Sequence, residues 1–172
     1  MSNSQWAGVF EKVYPIGAQV GLLAYGRKQE SEADEMGLQI MAMAGYDPRT
    51  AVSFWQRMEA SSTGTRQPEF LSTHPSPANR IKNVGARIKN AAYSYYKSIG
   101  RESALAGYNW EFNLIQDSQL NAWCMPGGKV AFYTGIMPVC KDDNGVAVVM
   151  GHEVSHALAG HGNERISQAM LA

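Results

Sequence analysis

The sequence predicts a single α+β domain, mainly helical with a small β-sheet. Its 172 residues are enough for one buried core, and 45% hydrophobic with 17% charged residues are typical of a globular chain. Apolar residues recur at three- and four-residue steps through the first half, whereas alternating or β-branched runs appear later, in YNWEFNLIQD and KVAFYTG. Helices, then strands, then a last helix favour the α+β class.

Three helices are predicted before the strands. The first, RKQESEADEMGLQIMAM, ends near Gly45, a residue type common just after a helix C-terminus. The second begins after Asp47-Pro48, with Asp47 as the N-cap and Pro48 at the first helical position. The third is SPANRIKNVGARIKNAAYSYYKSI, and the Pro- and Gly-containing stretch from Thr63 to Pro77 is predicted to be a long loop.

Composition argues against several classes of function. The formal net charge is zero, so we expect no electrostatic binding to nucleic acid or to an anionic membrane. No apolar run is long enough to predict a membrane span, and the first residues do not resemble a secretory signal. Cys124 and Cys140 allow at most one disulfide, and Cys124 is expected to be a small buried residue.

The last predicted helix contains GHEVSHALAGH, which has the spacing of a zinc site. Residues four apart lie on one helix face, so His152 and His156 can bind the same ion. Glu153, beside them, can take a proton from a water that zinc has made acidic. The alternative is a helix that carries these three residues by chance. His161 would fall on the opposite face of a continuous helix, and Gly160 and Gly162 mark a helix end, so we expect His161 to have a structural or capping role.

A third ligand can be sought far upstream, in QESEADEMG. Glu30 and Asp34 are four apart and can face one way, so Glu30 can complete a two-histidine, one-glutamate site while Asp34 hydrogen-bonds a ligand imidazole. Glu32 competes for the ligand role but projects from a different face. The alternative is an acidic helix face in water.

Four segments carry a family resemblance: NAWCMPGGKVAFYTG, VVMGHEVSHALAGH, RKQESEADEMGLQIMAMAGYDP and FLSTHPSPANRI. Together they resemble the M48 family of zinc metallopeptidases, most closely its bacterial members exported to the periplasm. The resemblance implies a gluzincin fold and a zinc-dependent endopeptidase in protein quality control, acting on peptide or unfolded-protein substrates. It also implies a periplasmic or membrane-associated location.

The resemblance assigns roles residue by residue. It makes His152 and His156 zinc ligands, Glu30 the third ligand, Glu153 the catalytic glutamate that activates a zinc-bound water, and Asp34 the supporting acid.

The FLSTHPSPANRI segment adds two candidates. His74 matches a loop histidine that latches the zinc in some family members, and His74 or Arg80 is expected to stabilise the oxyanion. For His74 the alternative is a solvated loop residue.

The segments stand in an order different from that of the family. Residues 1–90 resemble the family's C-terminal half, with the third ligand, and residues 91–172 resemble its N-terminal half, with the histidine pair. This order predicts a circular permutation within one metallopeptidase domain, 1–172. The alternative is a domain-swapped homo-oligomer, in which Glu30 of one chain completes the site of another.

Other functions remain open from the sequence. A zinc-holding, latched or inactive binding or chaperone-like module would keep the metal without cutting, and a helical structural domain would hold no metal. The stretch starting near Asn121 predicts either an edge strand that pairs with a substrate peptide or an ordinary hairpin of the core sheet.

Overall fold

A computed structural model describes residues 25–62 and 77–164, and confirms a mainly helical chain with a small sheet. The predicted loop over residues 63–76 lies outside these ranges. Short 3₁₀ turns lie at Glu102–Leu105 and Thr134–Ile136. The elements are α1 (Arg27–Met43), α2 (Thr50–Ser62), α3 (Pro77–Ser98), β1 (Glu111–Ile115), β2 (Ala122–Met125), β3 (Lys129–Tyr133), α4 (Met137–Cys140) and α5 (Asp143–Leu158).

The helix ends follow local chemistry. Helix α1 ends two residues before Gly45, whose φ of 85° is the left-handed conformation that glycine adopts readily. Helix α2 begins at Thr50, two residues later than predicted, because the first turn has i→i+3 backbone bonds, from Thr50 to Asp47 and from Ala51 to Pro48. The Asp47 carboxylate accepts from the Arg49 N–H, as an N-cap does. Helix α5 begins after Asp142, whose side chain accepts from the Gly145 N–H.

The sheet has the order β1-β3-β2. Strand β3 pairs in parallel with β1 and antiparallel with β2, and the β2–β3 turn contains Gly127 and Gly128, both with φ near 90°. Strand β2 is therefore one arm of a hairpin and also an edge of the sheet among the described strands. The structure thus confirms the hairpin, and pairing of this edge with a substrate peptide stays a prediction.

Helix α5 is the centre of the molecule, because other elements pack around most of its circumference. Apolar residues of α1 and α3 are fully buried against it, as their helical spacing predicted. Among the described residues, no helix is long and apolar enough to cross a membrane. The fully buried residues of α1 and α3 include Ala33, Ile40, Met41, Ile81, Val84, Ile88 and Ala92.

Two glycines allow α1 and α5 to touch backbone to backbone. A Cβ at Gly37 would lie 2.8 Å from the backbone nitrogen of His152, and a Cβ at Gly151 would lie 2.7 Å from the Gly37 carbonyl oxygen. Real Cβ atoms essentially never come this close, so a side chain at either position would push the helices apart. The contact brings the acidic face of α1 to the histidines of α5.

Candidate metal centre

Three predicted ligands meet at one point between α1 and α5. The His152 and His156 Nε2 atoms are 3.1 Å apart. Glu30 Oε2 lies 3.3 Å from His152 Nε2, and Glu30 Oε1 lies 3.6 Å from His156 Nε2. All three residues belong to the same chain, and both histidines are buried.

The spacing of these atoms fits a tetrahedral zinc ion. Ligands about 2.0–2.1 Å from zinc in tetrahedral geometry are about 3.3–3.4 Å from each other. The three separations, 3.1, 3.3 and 3.6 Å, lie around that value. Two imidazoles and one carboxylate are also the ligand set of catalytic zinc sites that keep a fourth position open. The residues present therefore fit zinc.

Asp34 orients the first histidine. Its Oδ1 lies 2.8 Å from His152 Nδ1, on the side of the ring opposite the Nε2 that faces Glu30. Burial lowers the pKa of His152, but hydrogen bonds to the Asp34 and Glu30 carboxylates outweigh it and raise the pKa to about 10. The hydrogen bond from His152 also lowers the pKa of Glu30. A cation at this point would compete with a proton for the Nε2 of His152.

The second histidine has a different environment. Tyr25 stacks on the His156 ring at 3.9 Å between centroids, while Trp55 meets the His152 ring edge-on at 5.4 Å. Burial, together with the positive charge of His152, lowers the pKa of His156 to about 4, which keeps this imidazole neutral. Sequence reasoning missed both aromatic neighbours, because neither belongs to a ligand motif.

His161 lies against the second histidine, and the expectation that it faces away from the pair is wrong. Helix α5 ends at Leu158, and Gly160 reverses the chain with a φ of 75°. His161 Nδ1 then lies 2.9 Å from His156 Nδ1. The His161 Nε2 lies 3.2 Å from Glu32 Oε2. Glu32 therefore contacts His161, and it faces a different direction from Glu30, as predicted.

Glu153 lies beside the ligands at a small cavity. This half-buried residue lines, with His152, a cavity of about 80 Å³ that β2 borders through Ala122. Burial raises the pKa of Glu153 to about 7, against the lowering effect of nearby His152. A larger cavity of about 200 Å³ lies on the other side of Trp55, and its lining is mostly apolar.

One predicted site residue, Arg80, is not brought to this centre. The Arg80 guanidinium, whose Nε lies 3.0 Å from Asp143 Oδ1, also donates to the Lys141 carbonyl. Asp143 begins α5 nine residues before His152, about 13 Å along the axis. Arg80 therefore pairs with the start of α5 rather than with the site. His74 lies outside the described residues.

The cysteines are not part of the centre. Cys124 and Cys140 are both free and buried, as expected for Cys124. Burial raises the pKa of both thiols, that of Cys140 to about 12.

A His-Glu-x-x-His helix facing a carboxylate on a second helix is an arrangement typical of zinc metallopeptidases. Comparison with known proteins narrows this class. The model of Peptidase family M48 matches residues 2–88 and again residues 90–172. The chain belongs to this family.

Individual relatives match over part of their length. The mitochondrial metalloendopeptidase OMA1 of Saccharomyces cerevisiae is 37% identical over 107 residues, which are 61% of this chain and 30% of that protein. OMA1 of Schizosaccharomyces pombe is 41% identical over 71 residues, 41% of this chain and 21% of that protein. The beta-barrel assembly-enhancing protease of Escherichia coli is 25% identical over 115 residues, 62% of this chain and 23% of that protein.

The matches thus span less than a third of the length of these relatives. No solved structure matches the chain.

Proposed function

We propose that the chain is a zinc-dependent endopeptidase of gluzincin type. The observation that carries this proposal is the convergence of Glu30, His152 and His156, whose ligand atoms all lie within 4.8 Å of one another. The names of the relatives, metalloendopeptidase and protease, support the same reaction.

The roles of the residues follow from their positions. Glu30, His152 and His156 hold zinc, which when bound supplies a Lewis acid for water and for the scissile carbonyl. Glu153 accepts a proton from the water as the water oxygen attacks the carbonyl carbon. It then gives that proton to the amine nitrogen as the C–N bond breaks. Asp34 holds the His152 ring in place by accepting from its Nδ1–H.

Strand β2 and the two cavities support a peptide substrate. An extended peptide can add to the β2 edge by main-chain hydrogen bonds and so pass Glu153. Apolar cavities on both sides of Trp55 would accept apolar side chains near the cleaved bond. We propose unfolded or extended protein segments as the substrate class, consistent with a role in protein quality control.

The reaction is tested with the purified chain, a quenched peptide and casein. We expect about one zinc per chain by mass spectrometry, cleavage that a chelator abolishes, and recovery when zinc is returned. A quenched peptide with Leu or Phe around the bond should be cut faster than a matched peptide with Asp there.

Other results would favour the rival functions. Zinc binding without cleavage of any substrate would favour a chaperone-like module. A chain that holds no zinc, with an unfolding temperature that the chelator does not change, would point to a structural domain.

We also propose that the family's segments are circularly permuted within one domain. The proposal rests on the order of the motifs, with Glu30 before His152, and the two family matches divide the chain near residue 89, between the two proposed halves. A rejoined chain tests this permutation. It begins at Arg101 and runs to Ala172, continues through a flexible linker, and then runs from Met1 to Gly100. Gly100 is an exposed turn residue just after α3, so this opening leaves the helix intact. We expect the rejoined chain to bind zinc and cleave peptide like the original. A folded but zinc-free product would contradict the permutation.

The compartment is a separate proposal. We propose an exported, periplasmic or membrane-associated protein, by similarity to bacterial family members. Because the yeast relative is mitochondrial by name, family membership alone does not determine the compartment. Cell fractionation measures it directly, and recovery in the cytoplasmic fraction alone would contradict an exported location.

A further inference from the structure

Two residues near the metal centre have no role in the proposed reaction. His161 is buried, with 3% of its surface exposed, and joins His156 on one side to Glu32 on the other. Glu32 is half exposed on α1, two residues after Glu30. The three side chains form a chain of hydrogen bonds that leads away from the ligand atoms.

Only one placement of the ring protons allows both of these hydrogen bonds to form while His156 binds a cation. The His156 Nε2 faces His152 and Glu30, so it must present a lone pair, and the ring proton then lies on Nδ1. That Nδ1–H donates to His161 Nδ1 over 2.9 Å, so His161 carries its own proton on Nε2. The His161 Nε2–H donates to the Glu32 carboxylate over 3.2 Å. The opposite arrangement would put the proton on His156 Nε2 and block the ligand atom.

We propose that His161 and Glu32 are positioning residues that hold His156 in the tautomer able to bind a divalent cation. This inference rests on the metal centre of the proposed function. The His152 ring is oriented directly, because its Nδ1 lies 2.8 Å from Oδ1 of the Asp34 carboxylate. The two ligand histidines are thus oriented by different means, one by a carboxylate and the other by an imidazole that a carboxylate orients in turn.

A purely structural role makes a different prediction. If His161 only packs the end of α5, its loss lowers the stability of the metal-free protein and leaves the geometry of bound metal unchanged. If it orients His156, its loss weakens zinc binding beyond any change in the metal-free fold. The two roles separate when zinc affinity and metal-free stability are measured on the same variants.

The experiment compares substitutions at the two positions. We expect His161→Ala to weaken zinc binding by about 10–100-fold in chelator competition and to alter the absorption spectrum of bound Co²⁺. His161→Asn should recover most of the affinity, because its Oδ1 can accept from His156 at the position of the lost Nδ1. Glu32→Ala should show a smaller loss of the same kind, and Glu32→Gln little loss, since its amide oxygen still accepts.

The controls make each result decisive. Glu35→Ala, exposed on the same helix, should bind zinc like the original protein. Unchanged zinc affinity and an unchanged Co²⁺ spectrum in His161→Ala and Glu32→Ala would overturn the inference while leaving the proposed function intact. Equal losses in His161→Ala and His161→Asn, matched by equal falls in the unfolding temperature without metal, would overturn it in favour of packing. An original protein that binds no zinc would overturn the proposed function as well.

Discussion

Glu153→Gln is expected to keep zinc and lose about 10²–10⁴-fold in the rate of peptide cleavage. Glutamine has nearly the same shape as glutamate but cannot accept a proton from water, and general-base catalysis contributes about this factor. The fold and ligands should be unaffected, because Glu153 is not among the three residues whose ligand atoms converge. Zinc content by mass spectrometry and initial rates on a quenched peptide give the comparison.

A graded control accompanies this variant. Glu153→Asp keeps a carboxylate on a shorter side chain, so its rate should fall between those of the original protein and Glu153→Gln. If Glu153→Gln cleaves at the original rate, another residue takes the proton, and the assignment of Glu153 is wrong.

Glu30→Ala is expected to lose both zinc and activity. It removes one of three ligands, so the loss in zinc affinity should exceed the 10–100-fold typical of residues that only orient a ligand. It also leaves two imidazoles facing each other at 3.1 Å without their shared carboxylate. Zinc titration by calorimetry and metal content after dialysis both measure this.

Two other acidic residues on α1 serve as controls for the Glu30→Ala variant. Glu35→Ala should retain zinc, because Glu35 is exposed. Asp34→Asn should lose less than Glu30→Ala, because its amide oxygen can still accept from His152 Nδ1. Zinc content that stays the same in Glu30→Ala would show that another acid is the ligand.

Local patterns were enough to predict the helices and which acidic side chains of α1 face the histidines. The spacing of Ile81, Val84 and Ile88 predicted the buried face of α3, and all three are fully buried. The four-residue spacing of Glu30 and Asp34 likewise placed both carboxylates on one face, and both reach His152. These predictions succeed because helix geometry fixes which residues share a face.

What the sequence could not predict depends on how distant segments meet. The glycines at 160 and 162 marked a helix end, but no local pattern gave the direction of the chain beyond it, where Gly160 has a φ of 75° and His161 Nδ1 lies 2.9 Å from His156 Nδ1. The arginine at position 80 was placed by motif similarity alone, and its actual partner, Asp143, lies at the other end of α5. Tyr25 and Trp55 reach the histidine rings through the packing of whole elements, which no local spacing encodes.

The contact between Gly37 and Gly151, where α1 crosses α5, determines where the Glu30 carboxylate lies. Glu30 precedes Gly37 by two helical turns, about 10 Å along the axis. Rotating α1 by about 5° around that crossing would move Glu30 by about 0.9 Å over this lever arm. Metal–ligand bonds tolerate only about 0.2 Å. The accuracy of this site is thus set by how closely two bare stretches of main chain fit.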